Sequence, residues 1–158
     1  MMSTDSQHLF EQSFDTFKAF DNLTVANCSA EQEAFPATIW QILQHLLRWQ
    51  AHQLAQLQDI ASAEAFDEKR SWDAARVPPS EAVLQAAVMQ FKRQLVELQS
   101  WASEAKGEAP QVLAQALALQ EVALHLSFHL GEVVLMRRLQ GSYPLPAHMQ
   151  EFLQAQPK

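Results

Sequence analysis

Helix breakers are scarce in this chain, and they gather in the same few places. It has only 3 glycines in 158 residues, and all but one of its 7 prolines lie in NCSAEQEAFPAT, RVPPS, KGEAP or GSYPLPAHMQ. Glycine and proline are the residues that most strongly interrupt helices. The long stretches between these breaks are therefore free to be helical. They are also rich in Ala, Leu and Gln, within a composition that is 48% hydrophobic. The expectation is an all-α chain forming one domain over residues 1–158.

Apolar periodicity places four long helices. The first is expected from about Ser6 to Asn22, where Leu9, Phe10, Phe14 and Phe17 recur at steps that build one aromatic face. The second should begin near Pro36 to Thr38 and run to about Ile60, with Ile39, Ile42, Leu43, Leu46 and Leu47 on its apolar side. From Ile60 to Pro79 the pattern weakens into a mixed, charged connection with room for one short turn. The third helix opens at Pro79 and Ser80, with Ser80 as its cap or Pro79 within its first turn, and the fourth runs from about Pro110 to Gln140. Gly141 is placed to terminate it, and Arg137 and Arg138 suit the negative end of its dipole. The tail after Gly141 is expected to cross the bundle end or form a short extra helix. Four such helices bury their apolar faces most simply as an antiparallel bundle. The long link between the second and third leaves room for a crossover connection.

Charge and cysteine content narrow the function classes. The formal net charge is -7 with no basic cluster, which argues against a nucleic-acid partner. Cys28, the only cysteine, excludes an internal disulfide framework and has no histidine near it in sequence to activate it. The N-terminus lacks a basic segment followed by an apolar one, and no apolar run reaches membrane-spanning length. A soluble cytoplasmic protein is expected. The apolar content of the second and third helices makes a homodimer seam plausible, with Trp40, Trp49, Trp72 and Trp101 as core, bundle-end or interface residues.

The chemistry-bearing stretch is HLSFHLGE. His125 and His129 stand four apart, so on a helix they lie on one face and offer two ring nitrogens to one point. A metal site needs a third ligand, and the second helix offers one. Ile42, His45, Trp49 and His52 share a face there, with His45 the better inward candidate. His52 lies roughly 10.5 Å further along the axis, which leaves it as an outer partner, a pocket group or a surface residue. Spacing alone leaves two readings open, a three-histidine metal site or ordinary core and surface histidines. Residue 126 is Leu, so the zinc-peptidase HExxH pattern is absent. Glu121 and Glu132, one turn from the pair, are candidates to orient a ring or to sit at the metal. Gly131, inside a helix, suggests a close helix approach or space beside the ligands. His8 and His148 read as solvent groups.

Two stretches carry a family resemblance. ATIWQILQHLLRWQAHQL and HLSFHLGEVVLMRRLQGSYP, with VPPSEAVLQAAVMQFKRQL between them, resemble the DinB-like superfamily of DinB/YfiT-like metalloenzymes over roughly residues 6 to 144. The resemblance implies a four-helix bundle holding a divalent metal, often nickel or zinc, on three histidines, which fall here on His45, His125 and His129. It also implies a small-molecule substrate, with a low-molecular-weight thiol activated by the metal in some relatives. The position after the glycine, frequently Gln in that family, is Glu132 here. A metal-water hydrolase and a non-catalytic, metal-stabilised stress-related protein are the alternative readings.

Overall fold

Thr38 and Gln41 close a capping box at the start of the helix on which the others pack. The Thr38 hydroxyl accepts from the Gln41 backbone N–H at 3.3 Å, and the Gln41 side-chain oxygen accepts from the Thr38 N–H at 3.1 Å. Two donors that a helix end leaves orphaned are satisfied together. Helix initiation thus falls on Thr38, with Pro36 lying before the cap and outside the helix.

The computed structural model describes residues 12–30, 35–58, 65–103 and 109–155. Among them the elements are α1 (Val25–Ser29), α2 (Ile39–Gln58), α3 (Glu68–Ser71), α4 (Glu81–Ser103), α5 (Ala109–Leu139) and α6 (Met149–Gln154), the last preceded by a 3-10 turn at Pro146–His148. The all-α expectation is met, since no strand occurs among the described residues. Ser80 caps α4 by accepting from the Val83 N–H at 3.2 Å. Gly141, at φ +69°, ends α5 as expected. The Gly141 N–H bonds to the Arg138 carbonyl and the Ser142 N–H to that of Arg137, the paired bonds of a Schellman motif.

α2 packs against both α4 and α5, which contact each other much less. α4 contributes Leu84, Val88, Phe91, Leu95 and Leu98 to the core, and α5 contributes Leu119, Val122, Leu126, Leu130, Val133 and Met136. Each set recurs at three- or four-residue steps, so each helix presents one stripe. α2, covered on two sides, buries a wider arc that includes the polar His45, Gln50 and Gln53.

The connection between α2 and α4 retraces α2 in reverse. Arg48 donates to the Arg70 and Ser71 carbonyls, and His45 meets Ser71. Further along, Gln41 donates to the Ala74 carbonyl and the Thr38 hydroxyl donates to that of Arg76. As the chain number rises from 70 to 76, its partners on α2 fall from 48 to 38. Glu81 then bonds to the Val25 N–H. α3 is consequently laid across the middle of α2, over His45.

The expected first helix is not continuous. Residues 12–22 pass through successive turns, with Phe17, Lys18 and Asn22 at positive φ. Phe14 is buried but Phe17 is exposed, which breaks the aromatic stripe. Long-range bonds explain the departure. The Tyr143 hydroxyl donates to the Phe17 carbonyl at 2.5 Å, and the Arg137 guanidinium donates to the Ala19 and Asp21 carbonyls at 2.7 and 3.0 Å. These carbonyls find tertiary donors in place of helical ones, and tertiary context overrides periodicity. Leu9 and Phe10 lie outside the described residues.

Arg137, 3% exposed, also donates to the Ser142 carbonyl and hydroxyl. It therefore does more than complement the helix dipole: it ties the N-terminal segment to the end of α5. Arg137→Met should lower stability by about 2–4 kcal/mol, because buried carbonyls lose charged donors. Leu139→Ala, at an exposed position, should stay within about 0.5 kcal/mol of the parent. Urea midpoints at unchanged slope would check both.

Candidate metal centre

The face-sharing of His125 and His129 on α5 and the inward position of His45 on α2 bring three imidazoles together. Their candidate donor atoms lie within 4.8 Å of one another, an arrangement able to hold a metal ion. His45 is fully buried, His129 nearly so, and His125 partly exposed. His45 Nε2 and His125 Nε2 are 3.0 Å apart.

The remaining ring nitrogens show which way two of the rings face chemically. Ser71 Oγ donates its single proton to the Glu68 carbonyl at 2.5 Å, so at its 2.7 Å contact with His45 Nδ1 it must accept. That assigns the proton to His45 Nδ1 and leaves a lone pair on Nε2. Glu132 Oε2 lies 2.6 Å from His129 Nδ1, and a carboxylate accepts. His129 Nε2 is likewise left with a lone pair. Donation from the far nitrogen to a hydroxyl or carboxylate is how metal-binding imidazoles are commonly oriented. His125 completes the set differently. With His45 Nε2 an acceptor, the 3.0 Å contact makes His125 Nε2–H the donor, and the buried His125 Nδ1 has no partner.

Electrostatics agree with neutral rings. Burial, then the neighbouring His129, His125 and Arg48, pulls the His45 pKa down to about 3. Burial and His129 pull that of His125 down to about 4. Two tryptophans form the apolar wall. Trp72 stacks on His45 at 4.0 Å with an interplanar angle of 10°, and Trp49 lies 4.7 Å from His125.

The family model described as the DinB superfamily matches residues 10–133, which is most of the chain and includes all three histidines. The chain belongs to the DinB superfamily. No curated protein and no solved structure matches it.

Within this DinB chain, sequence reasoning found the three histidines but not what surrounds His45. Ser71, Trp72 and Glu68 come from the connection between α2 and α4, where no periodic signal marks them. Glu68 Oε1 lies 3.9 Å from His45 Nε2 and accepts from Trp72 Nε1–H at 3.3 Å. Glu132 does orient a ring, as one of its readings held, whereas Glu121 is exposed and lines a groove elsewhere between α2 and α5. His52 contacts Trp49 and Phe66 but is not part of the triad. Gly131 corrects an expectation: it faces outward, and a Cβ there would meet nothing within 4 Å, so no close helix approach explains it. Cys28 lies in α1 with its thiol donating to the Val25 carbonyl, and burial pushes its pKa up, away from nucleophilic use. His148 is exposed, and His8 lies outside the described residues.

One side of the centre opens into a cleft of about 550 Å³ that reaches His129 and Glu132. Its walls are mainly apolar, from Phe35, Ile42, Trp72, Phe128, Leu135 and Met136.

The lowered histidine pKa values set a pH window for the metal-free DinB chain. The folded rings stay neutral while unfolded ones take up protons below about pH 6.5. Stability present above about pH 6.5 should therefore fall as pH drops toward 4, through the range of the two lowered values. Urea midpoints across that range, compared with His45→Gln, would check it. The variant should show a shallower pH dependence.

Proposed function

We propose that this chain is a divalent-metal-dependent enzyme, with nickel or zinc bound by His45, His125 and His129. Its proposed reaction is transfer of a low-molecular-weight thiol to a small electrophile. The observation that carries this reading is the tautomer arrangement: His45 and His129 spend their Nδ1 protons on Ser71 and Glu132, and their Nε2 lone pairs are left to share one locality with His125. A divalent ion held there supplies a Lewis acid that makes a water or thiol nucleophilic near neutral pH. The protein's own part is preorganisation. Ser71 and Glu132 fix the rings of His45 and His129, Trp72 and Trp49 shield those of His45 and His125, and the cleft beside His129 admits the organic partner.

Hydrolysis is the second reading, and Glu68 favours it. Glu132 is committed to His129, but Glu68 stands 3.9 Å from His45 Nε2 with an exposed carboxylate able to accept a proton from water. The four-helix-bundle topology with a crossover between its second and third long helices belongs to the same proposal. The reversed path of residues 70–76 along α2 supports it. A homodimer is also part of the proposal, with the outward Leu113 and Leu124 on α5 as its candidate surface. No described helix is long and apolar enough to cross a membrane. A cytoplasmic location, where low-molecular-weight thiols are abundant, is part of the proposal.

Elemental analysis of untagged protein should find about one nickel or zinc per chain, lost in His45→Ala and His129→Ala. Glu132→Gln should retain the fold and weaken metal affinity about 10–100-fold. Loss of thiol transfer in parallel with metal would support the reaction. A folded protein that takes up neither ion would exclude it.

A further inference from the structure

The cleft beside His129 has a charge pattern that selects its guest. Among the described residues no lysine or arginine lines it, and the one formal charge is Glu132. The lining side chains give an anionic ligand no cationic partner and confront it with a carboxylate, so away from an ion at His129 an anion would be desolvated there without compensation. Gln41, the other polar group on the α2 side, has its amide already engaged: its oxygen accepts from the Thr38 N–H and its nitrogen donates to the Ala74 carbonyl. One Glu132 oxygen holds His129 Nδ1, and its side chain is 43% exposed, which leaves the second oxygen as the acceptor available to a guest.

The rim supplies an independent observation. Phe128 and Leu135, seven residues apart on α5, are 66% and 53% exposed, yet both line the cleft. Large apolar side chains left in water at the mouth of an apolar cavity gain most when a guest covers them. A volume of about 550 Å³ lies within the usual range for small-molecule sites.

We propose that this cleft binds an uncharged small molecule with an apolar body packed against Trp72 and Phe128 and a hydrogen-bond donor directed at Glu132. The binding stands on the cleft alone; its identity as the substrate of the enzyme rests on the metal-dependent function proposed above. That function would then act on compounds whose cleft-bound part is neutral and hydrophobic.

Calorimetric titration of the full chain, with metal content measured on the same samples, tests this. Naphthylmethanol is the neutral probe, and naphthalenesulfonate is an anion of similar body that ligates metals poorly. Naphthylmethanol should bind about tenfold or more tighter than the sulfonate. Leu135→Glu, an exposed rim change that adds a second carboxylate, should weaken its binding about tenfold. Leu117→Glu, exposed on the same helix but lining the separate α2–α5 groove, should leave binding unchanged. Equal or tighter sulfonate binding, no binding of either probe, or loss in Leu117→Glu instead would each overturn the proposal. Metal-loaded protein that binds no naphthylmethanol would sink the cleft assignment and leave the metal reading standing. Naphthylmethanol binding by a chain that takes no metal would support the cleft and sink the metal reading.

Discussion

The imidazoles of His45 and His125, held against His129 inside an apolar helix layer, are tolerable only while uncharged, and this requirement organises the middle of the fold. A second proton on His45 would place a cation against two neighbouring rings and Arg48, at a fully buried position. Neutrality in turn forces a choice of tautomer. The choice is made outside the triad, by Ser71 for His45 and by Glu132 for His129. His125 has no such partner. Its buried Nδ1 is unpaired, a cost of about 1–3 kcal/mol where it occurs in a protein interior. Trp49 Nε1, on the ring packed against His125, is buried and unpaired as well, and such groups mark sites built for function over stability.

The path of the chain follows from serving this centre. Residues 67–76 are irregular apart from one turn of helix, yet Arg70, Ser71, Ala74 and Arg76 are bonded to α2 or its cap. Asp67 caps α3 by accepting from the Arg70 N–H, and Arg48 holds the carbonyls at its other end. This strap brings Ser71 to one face of His45 and Trp72 to another. It also brings Glu68 to the edge from which Nε2 projects. The opposite wall comes from α5, whose His129 and Glu132 are three apart and so stand together on the cleft side. Structure and chemistry are divided between the two: α2 and α5 supply the rings, and the strap and Glu132 aim them.

What the sequence disclosed was local. Thr38, Ser80 and Gly141 act within a few residues of where they stand, and each behaves as its type predicts. The histidines were readable because helical spacing aligns His125 with His129 and because His45 sits on an apolar face, a reading sharpened by the family likeness. Partners separated by long stretches of chain were not readable. Ser71 meets His45 across 26 residues, and Arg137 reaches Ala19 across 118. The second of these contacts is also why the aromatic spacing of Phe14 and Phe17 misled: the Arg137 guanidinium takes the Ala19 and Asp21 carbonyls, and the Tyr143 hydroxyl takes that of Phe17, in place of helical donors. Trp72 looked like generic core for the same reason, since nothing near it in sequence hints at the ring it stacks on.

X-ray absorption at the metal edge of the zinc-loaded chain would test the convergence of the three rings most directly. Three imidazole nitrogens at about 2.0–2.1 Å, with one lighter donor completing the shell, is the predicted result. Two imidazoles or fewer, or a first shell of oxygen alone, would contradict the assignment of His45, His125 and His129 to one ion.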